Sequence, residues 1–122
     1  MLSLEEVARI ASALPGVTEG QQHGNRAWFV GDKAFAWERP YSKADIRRFG
    51  EAKPPPEPVL AVRTAGLDAK TVILARNQPG FFMIPHFDGY AAVLITLASA
   101  RRRNLEDMLS HGHQAMAKAA PT

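Results

Sequence analysis

The chain has 122 residues, 46% hydrophobic and 22% charged, with a formal net charge of +3; that is one domain's worth of polymer and excludes collagen, a coiled coil and wholesale disorder. Cysteine is absent, so disulfide frameworks, thiol catalysis and cysteine metal sites are excluded. The longest apolar stretch, residues 91–98, is far short of the roughly 20 residues a membrane span needs.

The opening segment MLSLEEVARI carries acids where a secretory signal carries bases, so a cytoplasmic protein is expected. Ser3 with Glu6 reads as a capping box. Leu4, Val7, Ala8, Ala11 and Leu14 then recur every three or four residues, which predicts a helix over 4–13 ending at Pro15-Gly16. Residues 27–30 and 34–37 read as two strands joined at Gly31-Asp32, where glycine supplies the positive φ of a type II′ turn. A period of two puts Phe35 and Trp37 on one face, and Trp28 and Val30 on one face of the partner. Ser42 caps a short helix reaching Phe49, with Asp45 in its first turn. Lys53-Pro54-Pro55-Pro56-Glu57-Pro58 is neither helix nor central strand, and reads as an extended loop within the domain.

Residues 59–63 predict a third strand. Asp68 reads as the cap of a helix over 69–76, stopped by Asn77 and Pro79. Residues 81–84 and 91–97 predict two more strands, the second apolar on both faces as a covered central strand is. Asn104 reads as the cap of a last helix over 105–117, with Leu105, Met108, Leu109, Gly112 and Met116 on one stripe. Gly112 within that stripe predicts close approach to a bulky sheet residue such as Trp28, Phe35 or Trp37. Hairpins dominate, so residues 1–122 are expected to form one α+β domain. Its architecture is a two-layer sandwich, a mainly antiparallel sheet with the helices packed on one face, the first and last among them.

Four segments in this order resemble the MmcQ/YjbR family of small bacterial proteins. They are Leu14-Pro15-Gly16-Val17-Thr18-Glu19-Gly20, the hairpin from Ala27 to Ala36, Pro79-Gly80-Phe81-Phe82 leading into Pro85-His86-Phe87-Asp88-Gly89-Tyr90, and Val93-Leu94-Ile95-Thr96-Leu97 before a helix. The resemblance spans about residues 4–116. It implies a frataxin-like α+β fold and a DNA-binding role. The chain departs from many relatives in the last helix, where Ser110-His111-Gly112-His113 stands in place of a mid-helix aromatic residue.

The sequence contains none of the G-x-x-x-x-G-K-[ST], G-x-S-x-G, H-E-x-x-H or G-x-G-x-x-G motifs, so the familiar routes to phosphoryl transfer, serine hydrolysis and zinc proteolysis are not signalled. His111 and His113 lie about 160° apart around a helix and do not share one ion. No metal site and no cofactor are expected. The segment 85–90 combines an imidazole, a carboxylate, two aromatics and a glycine. If it is extended, His86 and Asp88 face the same way, the geometry of a base–orienter pair or of two metal ligands; a structural turn with Phe87 plugging the core is the simpler alternative.

Arg101-Arg102-Arg103 and Arg47-Arg48 are the basic clusters, and Lys33 sits at a hairpin tip. Such residues contact phosphates, although interspersed acids also fit a merely solvated surface. Trp28 and Trp37 are expected in the core rather than as stacking platforms. The expected function is non-enzymatic, weakly specific, electrostatic DNA binding through Lys33, Arg26, Arg63, Arg76, His86 and Tyr90, with no membrane partner. The alternative is a small-molecule or protein-binding module using the sheet and the 85–90 loop.

Overall fold

The computed structural model describes residues 2–119. Its centre is a six-stranded sheet ordered β1-β2-β3-β4-β6-β5. The strands are β1 (Val17–Gln22), β2 (Asn25–Val30), β3 (Lys33–Glu38), β4 (Val59–Arg63), β5 (Phe81–Phe82) and β6 (Ala92–Thr96). Every neighbouring pair is antiparallel, and the fold is α+β as expected. The helices are α1 (Leu4–Ser12), α2 (Lys43–Phe49), α3 (Leu67–Ala75) and α4 (Arg102–Ala119), with one 3-10 turn at Pro85–Phe87.

One face of the sheet carries α1 and α4. Val7 and Ala11 of α1 and Leu105, Met108 and Leu109 of α4 join Trp28, Leu60, Val62, Val93 and Ile95 in one buried cluster, with Ile73 of α3 beside them. The other face buries Ala27, Trp37, Val59, Ala61 and Leu94 under Ile84 and Phe87, with Tyr41 and with Phe49 of α2 at its margin. The helix layer is therefore not wholly one-sided: α2 and the loops around it cover the second face.

Trp37 reaches that second face through a bulge. Trp28 pairs with Ala36 and Phe29 with Ala34, leaving Phe35 as an extra residue in β3. An extra residue resets the two-residue alternation. Phe35 and Ala36 both enter the helix-side cluster, and Trp37 goes to the opposite one. The expectation that Phe35 and Trp37 share a face fails for this reason. Trp28 and Val30 do share one.

β1 was not legible from apolar alternation, because its sequence VTEGQQ is polar and it forms the sheet edge. Its turn to β2 places two consecutive residues, His23 and Gly24, at φ +53° and +79°, the signature of a type I′ hairpin. Gly31 at φ +61° supports the β2–β3 turn.

Several boundaries move. Ser3 caps α1 by accepting from the Glu6 N–H at 3.3 Å, but the Glu6 carboxylate is also bound by Arg102. The cap of α3 is Gly66 rather than Asp68, which lies in the first turn. α4 starts at Arg102, with the Leu105 N–H donating to the Arg101 carbonyl at 3.0 Å. Asn104 is thus inside the helix, where its Oδ1 accepts from Gln78 Nε2 at 3.2 Å. The strand expected over 81–84 shortens to Phe81–Phe82, since Ile84 already leads into the 3-10 turn.

Gly112 does sit where the helix meets the sheet. A Cβ there would lie 2.8 Å from Val62 Cγ1, 3.1 Å from the Arg63 carbonyl and 3.2 Å from the Phe35 carbonyl. The neighbour is therefore Val62 and two backbone oxygens rather than an aromatic ring. Overpacking of this kind costs about 1–3 kcal/mol, and the helix-propensity gain of alanine returns about 1 kcal/mol. Gly112→Ala is expected to lose about 1 kcal/mol in urea unfolding. A gain in stability would show that the contact relaxes freely.

Candidate functional site

The bulged β3 ends by presenting Trp37 to a cleft on the second face. This cleft holds about 290 Å³ and is lined by Gln22 and His23 of the β1–β2 hairpin, Trp37 and Arg39, and His86, Phe87 and Tyr90 of the loop before β6. Three rings form its apolar wall: Tyr90 meets Trp37 edge-on at 6.4 Å and Phe87 at 5.4 Å between centroids. Such edge-to-face contacts are the favoured aromatic geometry. Tyr90 is 40% exposed, whereas Trp37 is buried.

The cations around the cleft are held in place from behind. Arg39 Nη1 donates to the buried Asp45 carboxylate at 2.9 Å, and its guanidinium lies 5.5 Å over the Phe87 ring. Asp45 also accepts from the Ser42 N–H at 2.9 Å, and Ser42 Oγ accepts from the Asp45 N–H at 3.1 Å. This is the capping box of α2, now serving Arg39 as well. Burial alone pushes the Asp45 carboxyl up, but the Ser42 N–H and Arg39 together hold it below its ordinary value. Arg63, at the end of β4, stacks its guanidinium 5.0 Å from the Tyr90 ring centroid and donates from Nη1 to the Tyr90 hydroxyl at 3.2 Å. Its Nε is buried with no acceptor among the described residues.

A residue that sequence reasoning missed fixes the loop. Lys70 of α3 is buried, and its Nζ donates to the Phe87 carbonyl at 2.5 Å and the Tyr90 carbonyl at 2.7 Å. Burial lowers its pKa, with Asp88 acting in the opposite direction. Nothing in the local sequence marks Lys70 as internal.

The six expected contact residues do not form one surface. Arg63 and Tyr90 touch, and His86 lines the same cleft as Tyr90. Arg26 is instead committed to Glu19 at 2.9 Å and Glu5 at 2.6 Å, beside Trp28 on the helix face. It also stands at the start of β2, four residues from the turn that leads to Lys33, roughly 13 Å along a strand. Lys33 and Arg26, both expected to contact DNA, are therefore at opposite ends of the hairpin. Arg76 caps the C-terminus of α3 and faces α4. His86 and Asp88 do not lie in an extended segment; His86 is in the 3-10 turn and Asp88 is its cap.

Helix-borne His111 and His113 serve separate structural bonds. His111 Nε2 accepts from the Ala65 N–H at 3.0 Å, and His113 Nε2 lies 2.7 Å from the Pro15 carbonyl. Among the described residues no group of three or more His, Asp or Glu side chains is placed to hold a metal ion. No helix of the described residues is long and apolar enough to cross a membrane.

The chain is 39% identical over 113 residues to a protein of Mycobacterium tuberculosis (strain ATCC 25618 / H37Rv) described as uncharacterised, covering 90% of this chain and 84% of the relative. It belongs to the same family. Uncharacterised proteins of Mycobacterium tuberculosis (strain CDC 1551 / Oshkosh) and Mycobacterium bovis (strain ATCC BAA-935 / AF2122/97) match over the same share. No family model matches the chain, and no solved structure does.

Proposed function

We propose that this protein is a non-enzymatic DNA-associated protein of the MmcQ/YjbR type, and that it contacts the nucleic acid through the Tyr90 cleft. The observation that carries this reading is the composition of the cleft wall: His23, Arg39 and His86 surround aromatic side chains, and no lining residue is acidic. Glu38 enters only in the adjoining hollow, which shares Gln22, His23, Trp37 and Arg39 with the cleft. An aromatic recess walled by one guanidinium and two imidazoles suits a phosphate and an unpaired base, with Tyr90 as the exposed stacking ring. The contact set becomes His86 and Tyr90 with Arg39 and His23, and Arg63 stands beside it on the Tyr90 ring and hydroxyl; Lys33, Arg26 and Arg76 fall away.

A second reading places a small anionic molecule in the same cleft, favoured by its size, about 290 Å³, near the lower end of the range of ligand pockets. Anisotropy of a short labelled single strand, and of its duplex, across a salt series separates the two. The expected result is single-strand binding that weakens with salt. Tyr90→Ala should cost about 1–3 kcal/mol of affinity, and Arg63→Ala should flatten the log-affinity slope by roughly 0.7. Absence of binding at low salt sinks the nucleic-acid reading; binding that ignores Tyr90 and Arg63 sinks the assignment to this cleft.

A further inference from the structure

A second recess lies on the opposite, helix-covered face, between α3 and α4, and encloses about 240 Å³. Its walls combine apolar and polar groups. Val72 and Ile73 of α3 and Met108 of α4 form the apolar side. Arg76, Asp107 and His111 contribute charge and hydrogen bonding at the same opening.

The polar groups are only partly used by the fold. Arg76 and Asp107 are exposed, and neither has an ion-pair partner among the described residues. His111 Nε2 accepts from the Ala65 N–H, which puts the ring proton on Nδ1 and leaves an N–H donor. Burial first, and Arg76 second, lower the pKa of this imidazole and so favour its neutral form. The Gln78 amide donates to Asn104 Oδ1, and both residues line the recess.

We propose that this recess binds a small carboxylate with an aliphatic body and a cationic amine, an amino-acid-like zwitterion. Arg76 matches a carboxylate, whose two oxygens fit the guanidinium fork. Asp107 matches the amine, and the Val72–Met108 wall takes the aliphatic part. Asp107 also argues against inorganic phosphate, because a dianion gains one cation here but meets one carboxylate. The site shares no lining residue with the Tyr90 cleft, so it stands independently of the proposed function.

The test is a titration of the whole chain, followed by NMR of the Arg76 and His111 side chains, with L-norleucine, sodium hexanoate and inorganic phosphate as probes. Saturable shifts with norleucine, weaker ones with hexanoate and none with phosphate are expected. Arg76→Gln should weaken norleucine at least tenfold (~10-fold per 1.4 kcal/mol), and Asp107→Asn should abolish the preference for norleucine over hexanoate. Both side chains are exposed, so an unchanged backbone spectrum is expected to show that the variants fold. No saturable shift with norleucine, equal binding by Arg76→Gln, or tighter binding of phosphate than of norleucine overturns the assignment.

Discussion

Asp45→Ala is expected to destabilise the protein by about 3–5 kcal/mol, the range for removing one partner of a buried ion pair. Asp45 is 2% exposed, and its carboxylate joins three things at once. It pairs with Arg39 at 2.9 Å, accepts from the Ser42 N–H at 2.9 Å, and sits 3.6 Å from Arg48. Alanine leaves the Arg39 guanidinium, itself only 18% exposed, without its counter-charge, and removes one half of the α2 cap. Urea unfolding should show a lower midpoint with an unchanged slope. A loss below about 1 kcal/mol would place the pair with ordinary exposed salt bridges.

The same residue predicts acid sensitivity. The folded carboxyl titrates below its unfolded value of 3.8, so the unfolded chain takes up the proton first. The stabilisation is complete above that value and is lost as pH falls from it through the folded pKa. Wild type should therefore lose stability more steeply than Asp45→Asn below about pH 4. Parallel pH profiles would contradict this.

Lys70→Ala is expected to cost about 1.5–3 kcal/mol, the range for hydrogen bonds made by a charged group, and to loosen the 85–90 loop. The ammonium ties the Phe87 and Tyr90 carbonyls to α3, and those two residues form one wall of the cleft. Lys70 does not line the cleft, so an effect on binding there reports positioning rather than contact. Hydrogen exchange should quicken at the amides of Asp88, Tyr90 and Ala92, which bond within this turn, while the amides of β4 and of residues 93–96 of β6 stay protected. Single-strand binding should fall with it. Unaltered exchange at the three amides would show that the turn holds itself without Lys70.

Local chemistry explains why much of the fold was readable. The stripes of α1 and α4 each need a surface to cover, and the apolar run of β6 needs covering on both sides, so a sheet under two helices follows from pattern alone. Ser42 and Asp45 announced the start of α2, and Gly31 announced the β2–β3 turn. β1 was hidden because an edge strand carries little apolar signal, although His23-Gly24 between polar runs was a turn signal that pointed to it.

The 85–90 loop stood out by its residue types, and His86 and Tyr90 do line one cleft. The rest of the cleft depends on long-range pairing. The extra residue at Phe35 turns Trp37 to the second face, and no count along β3 reveals a bulge that exists only relative to β2. Arg39 faces the cleft because Asp45 holds it, and Tyr90 stays there because Lys70 reaches across from α3. Arg26 and Arg63 look alike as letters. One is neutralised by Glu5 and Glu19, while the other stacks on Tyr90 and donates to its hydroxyl. Periodicity and turn chemistry are local and so determined the elements; which cations are neutralised depends on the acids that tertiary packing brings beside them.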